Sequence, residues 1–130
     1  MNETMKDKTA KYQLVIFGAT GFTGQIATNY IDQHYHSLKW AIAGRNQKKL
    51  NNLADQCKNN KPDVLIGDST NSEALNQIAA STNVVLSFAG PFNKYSNLMV
   101  ECCLKQGAHY LDITGENIWV KDLIDRHHDE

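Results

Sequence analysis

The sequence predicts one α/β domain with a doubly wound parallel sheet of five strands in the order 3-2-1-4-5. Its 130 residues suit a single domain of roughly 100 to 200 residues. Five short apolar runs alternate with amphipathic segments, a pattern typical of parallel strands joined by right-handed helical crossovers. A glycine-rich run, Gly18–Gly24, directly follows the first apolar run, and glycines of this kind favour a tight turn between a strand and a helix.

The first strand and helix are predicted from the residues on either side of these glycines. Tyr12–Phe17 is nearly all apolar and rich in β-branched and aromatic residues, as expected of a strand buried on both faces. Beyond the glycines, apolar side chains recur at helical spacing. We expect these to form the buried stripe of the first helix: Phe22, Ile26, Ala27, Tyr30 and Ile31.

Two further strand-helix pairs follow. Trp40–Ala43 predicts the second strand, and Asn46 is a candidate cap for the helix after it. The apolar positions of that helix are Leu50, Leu53, Ala54 and Cys57. Pro62 interrupts the chain before the third strand, Val64–Ile66. The third helix has its apolar positions at Ala74, Leu75, Ile78 and Ala79.

The fourth and fifth strands are predicted at Asn83–Phe88 and His109–Ile113. The helix between them should end at Gly107, since glycine suits the left-handed position beyond a helix end. Its apolar positions are Leu98, Met99, Cys102 and Cys103. Because Cys102 and Cys103 are adjacent, we expect only one of them to face the core.

The two ends of the chain predict a disordered N-terminal tail and an incomplete C-terminal helix. Residues 1–11 are polar and are expected to form a disordered tail, leaving 12–130 as the folded domain. An amphipathic helix that begins near Trp119 is still in progress at Glu130. We therefore expect this chain to be a fragment of a longer enzyme. Such a fragment lacks the substrate domain, so we expect it to have no dehydrogenase activity alone.

Composition excludes several classes of partner. The net charge is -1, so no overall field favours nucleic acid or an anionic membrane, and no apolar run has the length of a membrane anchor. Three cysteines, an odd number, argue against a disulfide framework and favour a reducing, cytoplasmic location. His34 and His36 lack partners at metal-site spacing, so no metal is expected.

The glycine-rich run carries the strongest functional signal. In G-x-x-G-x-x-G, Gly18 suits a turn with positive φ, Gly21 lets backbone approach a pyrophosphate, and Gly24 lets the helix pack close to the strand. Gln25 follows where a phosphate-binding P-loop would have lysine. The context therefore predicts dinucleotide binding by a Rossmann domain. The alternative is a glycine-rich turn without a ligand.

The end of the second strand indicates which dinucleotide is bound. NAD-binding domains usually carry an acidic residue there for the ribose 2′-hydroxyl, whereas this chain has Arg45, with Lys48 and Lys49 just beyond. An arginine can neutralise a 2′-phosphate, so NADP is favoured and NAD is less favoured. The alternative is a solvated, charged start to the second helix.

Four segments together resemble a known family: GATGFTG after the first predicted strand, AIAGRN at the second, SFAGPF after the fourth and HYLDITGE at the fifth. Over residues 12–118 the chain is similar to the N-terminal NADP-binding domain of saccharopine dehydrogenase-like oxidoreductases, which include trans-acting enoyl reductases. The resemblance implies hydride transfer to or from a carbonyl, imine or enoyl substrate in the intact protein. A module that senses NADP without catalysis is the alternative.

The resemblance also implies a set of site residues. The pyrophosphate contacts would be Gly18, Thr20, Gly21, Phe22 and Thr23. Arg45, beside Asn46, would bind the 2′-phosphate, and Asp68 and Ser69 would lie beside the adenine unless they serve as helix caps or first-turn acids.

The nicotinamide half would cross Phe88, Ala89, Gly90 and Pro91, unless these only form a turn. Thr114, Gly115 and Glu116 are candidates for the substrate side, with Glu116 alternatively a favourable charge at a helix start. Catalytic residues are not identified. The fifth strand is expected to be an open sheet edge through which the chain self-associates.

Overall fold

A computed structural model describes residues 10–68, 70–88 and 92–112. These residues contain five strands: β1 Leu14–Phe17, β2 Trp40–Gly44, β3 Asp63–Ile66, β4 Val84–Ser87 and β5 His109–Asp112. Four helices connect them: α1 Phe22–His34, α2 Gln47–Gln56, α3 Ser72–Ala80 and α4 Phe92–Gln106. Most of the expected tail, Ile113 of the predicted fifth strand and the helix expected near Trp119 lie outside the described residues.

The five strands form one parallel sheet in the order β3-β2-β1-β4-β5, which confirms the predicted fold. Phe17 at the end of β1 is in register with Ala43 of β2 and Ser87 of β4. The carboxyl ends of these strands therefore meet at one edge of the sheet. The predicted strand limits differ from the observed ones by one or two residues. Tyr12, for example, precedes β1 and makes an isolated bridge to Thr82.

The sheet separates two hydrophobic clusters. Val15 of β1 belongs to a cluster with residues of α3 and α4, whereas its neighbour Ile16 belongs to a cluster with residues of β2 and α2. Ala27 and Ile31 of α1 pack against the second cluster. Since successive strand residues face opposite sides of a sheet, α1 and α2 cover one face and α3 and α4 the other.

The predicted buried stripe of α1 is wrong at three of its five positions. Phe22, Ile26 and Tyr30 are 84%, 56% and 53% exposed. The inner face of α1 instead carries one small residue and two polar residues, Gly24, Thr28 and Asp32. Hydrophobic periodicity missed this face because close contact with the glycine-rich loop and specific hydrogen bonds decide which side of the helix is buried.

Both polar residues on that face have hydrogen-bond partners. The Thr28 hydroxyl donates to the Gly24 carbonyl over 2.8 Å. The buried Asp32 carboxylate accepts backbone N–H bonds from Lys58, Asn59 and Asn60, at 3.2, 3.0 and 2.6 Å. Asp32 therefore fixes the end of α1 to the loop between α2 and β3.

Substituting Asp32 should measurably destabilise the domain. In Asp32→Asn an NH2 group replaces one acceptor oxygen, so at least one part-buried N–H loses its bond to a charged acceptor, at a cost of about 1 to 3 kcal/mol. The free energy of unfolding in urea measures this. Asp55→Asn is the matched control, because the Asp55 side chain is 67% exposed and forms a surface ion pair with Lys61. Equal stability of the two variants would contradict the structural role of Asp32.

All three cysteines are free and buried. The expectation that only one of Cys102 and Cys103 faces the core is wrong, since they are 3% and 0% exposed. Helix α4 contacts α3 as well as the sheet: the Cys102 Sγ lies 3.8 Å from the Ser72 carbonyl oxygen. A helix covered on two sides can bury adjacent residues. Burial raises the pKa of the Cys57 thiol to about 11, and the nearby Asp32 contributes to this increase.

Candidate functional site

The glycine-rich loop starts directly after β1. Gly18 has φ 76°, which confirms the predicted left-handed turn, and its N–H donates to the Ala43 carbonyl of β2 over 2.9 Å. The loop is thus attached to two adjacent strands at the carboxyl edge of the sheet.

Gly21 and Gly24 have different surroundings. A Cβ at Gly24 would lie 2.5 Å from the Gly18 carbonyl oxygen and 2.8 Å from backbone atoms of Ala19, so α1 packs closely against the two residues that directly follow β1. A Cβ at Gly21 would meet only the Gly18 carbonyl oxygen, at 3.7 Å. Gly21 is therefore not required by contacts within the described fold, and, its chain neighbours aside, no other described residue lies within 4 Å of an added Cβ.

The N-terminus of α1 is available to an anion. The N-cap residue is Gly21, with φ -71° and ψ 170°, and it offers no side-chain acceptor. The N–H groups of Phe22, Thr23 and Gly24 have no acceptor within the helix, since the first intrahelical bond runs from Gln25 to Gly21 at 2.9 Å. Free N–H groups and the helix dipole both favour negative charge at this point.

Gln25 stabilises the loop, a role that the sequence analysis missed. Its side-chain amide donates to the Thr20 carbonyl over 2.8 Å, which links the first turn of α1 to the middle of the loop. From the sequence alone, Gln25 was used only as an argument against a P-loop. The feature that could have indicated its structural role is a long amide side chain directly after the third glycine.

Arg45 is exposed and follows the last residue of β2, and it makes no ion pair with any described carboxylate. Asn46 caps α2 as predicted, its side-chain oxygen accepting the Lys49 N–H over 3.0 Å. The acceptor oxygen of Asn46 is thereby engaged within the protein, whereas the guanidinium of Arg45 is free to meet a ligand.

Asp68 lies after β3, close enough to Arg45 for an electrostatic effect. Hydrogen bonds from the backbone and the hydroxyl of Thr70, both 2.9 Å long, hold the pKa of the Asp68 carboxyl below its usual value, and the charge of Arg45 lowers it further. Asn71, and not Asp68, caps α3 by accepting the Ala74 N–H. The alternative in which Asp68 is the helix cap is therefore wrong. Ser69 lies outside the described residues.

Phe88 brings the end of β4 beside the loop. Its N–H donates to the Phe17 carbonyl over 2.8 Å, and its side chain packs against the cluster that contains Ile16. The rest of the predicted nicotinamide and substrate side lies outside the described residues: Ala89, Gly90, Pro91, Thr114, Gly115 and Glu116.

Helices on opposite faces of the sheet connect β1 to β2 and β3 to β4, so β1 and β4 flank the topological switch point, and the loop lies at their carboxyl ends. This arrangement defines a dinucleotide-binding domain of the Rossmann class. Within the described part of the chain, no helix combines the length and apolarity needed to cross a membrane. The same residues contain no group of three His, Cys, Asp or Glu side chains arranged to hold a metal.

The family follows from comparison with known sequences. The model of the saccharopine dehydrogenase NADP-binding domain matches residues 14–130. The chain belongs to this family, which confirms the resemblance seen in its motifs, and the predicted cofactor class, NADP, is that of the family.

Curated relatives are considerably longer. The chain is 31% identical over 122 residues to the lipid droplet localized protein of Caenorhabditis elegans, covering 88% of this chain and 29% of that protein. It is 29% identical over 126 residues to the trans-acting enoyl reductase of Mycobacterium leprae, covering 95% and 30%. The chain thus spans less than a third of the length of these relatives.

Solved structures share the fold. Apo saccharopine dehydrogenase (L-Glu forming) of Saccharomyces cerevisiae has a TM-score of 0.72 at 17% identity, covering 86% of this chain and 24% of that one. A short-chain dehydrogenase/reductase of Veillonella parvula in complex with NADP has a TM-score of 0.65 at 17% identity, covering 92% and 56%.

Proposed function

We propose that the glycine-rich loop binds the pyrophosphate of NADP(H) through Gly18, Thr20, Gly21, Phe22 and Thr23. The observation that carries this proposal is the uncapped N-terminus of α1 beside the open space at Gly21. Three N–H groups and the positive end of a 13-residue helix meet where backbone can approach the ligand closely.

The adenosine half lies across the ends of β2 and β3. Arg45 contacts the 2′-phosphate, Asn46 holds the start of α2, and Asp68 and Ser69 border the adenine. Support comes from the bond between the Gly67 N–H and the Gly44 carbonyl, 2.8 Å long, which brings the two strand ends together. Thr70 holds the Asp68 carboxylate in one orientation, so this group borders the adenine in a fixed position.

The nicotinamide half crosses the end of β4, along Phe88, Ala89, Gly90 and Pro91. The attachment of Phe88 to Phe17 supports this path, since it aligns β4 with the loop. Thr114, Gly115 and Glu116 then face the substrate. These three follow Asp112 of β5, which is in register with Ser87 of β4.

The reaction of the complete protein is hydride transfer between NADP(H) and a carbonyl, imine or enoyl group. Bound NADPH supplies the hydride, and the residues of this domain hold and orient the cofactor. The family and the trans-acting enoyl reductases among its relatives support this class of chemistry.

We also propose a cytoplasmic location, which three free cysteines support. We further propose that the chain self-associates through the edge of β5, where the Leu111 side chain is 57% exposed.

Arg45→Ala tests the cofactor assignment. A charge-assisted hydrogen bond contributes roughly 1.5 to 3 kcal/mol, so NADP(H) affinity should fall by about tenfold or more. The affinity for NAD(H), which lacks the 2′-phosphate, should remain nearly unchanged. Calorimetric titration of both cofactors measures the difference. Equal losses for the two cofactors would mean that Arg45 does not contact the 2′-phosphate.

A further inference from the structure

A cavity of about 260 Å³ lies between the glycine-rich loop and α2. Its lining is Thr20, Gln25, Lys49, Asn52, Leu53 and Gln56. Lys49 is the one charged residue of this lining. The cavity joins the loop assigned above to the pyrophosphate with the helix that starts just after Arg45.

The geometry of α2 distinguishes its two neighbouring lysines. Lys49, Asn52, Leu53 and Gln56 are spaced i, i+3, i+4 and i+7, so they share one face of the helix, and this face lines the cavity. Lys48 lies about 100° away around the helix and is not part of the lining. Both lysines are exposed and both belong to the first turn of α2.

The start of α2 offers further groups to an anion beside Lys49. Asn46 caps the Lys49 N–H, and the Leu50 N–H bonds to the Asn46 carbonyl over 3.0 Å. The N–H groups of Gln47 and Lys48 have no acceptor within the helix. Two backbone donors, the exposed Arg45 and the cavity lysine are thus available in one region, the combination that a phosphate dianion requires.

We propose that Lys49, and not Lys48, is the second cationic residue that selects for the 2′-phosphate of NADP(H). This inference rests on the proposed function, because it assigns a further residue to the same cofactor site. Arg45 and Lys49 then reach the phosphate from either side of the Asn46 cap. Thr20, a residue of the loop proposed to bind the pyrophosphate, lines the same cavity as Lys49.

The test compares Lys49→Ala and Lys48→Ala in the full chain by calorimetric titration with NADP and NAD. Lys49→Ala should weaken NADP by about tenfold and leave NAD within about twofold. Lys48→Ala should leave both within about twofold. Lys49→Gln, which keeps the polar chain without the charge, should match Lys49→Ala. Thermal unfolding of each variant checks the fold.

The outcomes separate this inference from the proposed function. Equal NADP losses in the Lys48 and Lys49 variants would indicate a diffuse field of positive charge and overturn the assignment, as would unchanged NADP binding in Lys49→Ala. If the unmodified chain failed to prefer NADP and Arg45→Ala changed nothing, the proposed 2′-phosphate site itself would be wrong. If Arg45→Ala selectively weakened NADP binding and Lys49→Ala did not, the role of Lys49 would be rejected while the proposed 2′-phosphate site would stand.

Discussion

Gly21→Val is expected to abolish binding of both NADP(H) and NAD(H) while leaving the domain folded. The isopropyl group would occupy the open space where the pyrophosphate approaches the backbone. A loss on the order of a hundredfold or more, about 2.7 kcal/mol, should appear in calorimetric titration. Both cofactors lose affinity because both contain the pyrophosphate.

The fold should survive this substitution. Gly21 has φ -71°, which any residue can adopt, and the nearest atom to an added Cβ is 3.7 Å away. Circular dichroism and the midpoint of thermal unfolding should therefore resemble those of the unmodified chain. Retained affinity in a folded Gly21→Val variant would mean that the loop is only a turn.

Gly24→Ala is expected to produce the opposite result, a loss of stability. Its Cβ would lie 2.5 Å from the Gly18 carbonyl oxygen and 2.8 Å from the Cα and carbonyl carbon of Ala19. These are backbone atoms, so no side-chain rotation relieves the contact and α1 must move away from the loop. Such overpacking costs about 1 to 3 kcal/mol, and the better helix propensity of alanine, about 1 kcal/mol, offsets only part of a severe clash.

The matched control for Gly24→Ala is Gly21→Ala, the same substitution three residues earlier in an open position. Urea denaturation of the two variants gives the comparison, with Gly24→Ala expected to be the less stable. If both variants unfolded at the same urea concentration, the close contact between α1 and the loop would not require glycine at position 24.

Much of the fold could be predicted because its signals are local. The positive φ of Gly18, the close packing at Gly24 and the Asn46 cap follow from a few adjacent residues. The alternation of strands and helices predicted a parallel sheet, and the glycine-rich loop, by indicating a Rossmann domain, predicted the order of its strands. The inner face of α1 could not be predicted in this way. Asp32 is buried because its partners are N–H groups 26 to 28 residues away, and no spacing within α1 reveals them.

The candidate site likewise contains features that local sequence predicts and features that it does not. Residue types next to the strand ends predicted the glycine-rich loop and Arg45. The link from Gln25 to Thr20 and the cavity beside Lys49 depend on how α1 and α2 lie against each other, which the motifs do not encode. Asp68 illustrates a choice between roles that the sequence left open, and the bonds to Thr70 and the cap by Asn71 decided against the helix cap.

The central position of β1 has a consequence for local unfolding. It lies between β2 and β4, and its residues Val15 and Ile16, both 0% exposed, belong to the clusters on opposite faces of the sheet. Separating β1 from the sheet disrupts two ladders and both clusters together, whereas β3 has a single neighbouring strand. We therefore expect amide protons of β1 to exchange with solvent through larger openings than those of β3, so the glycine-rich loop starts from one of the slowly exchanging inner strands of the sheet.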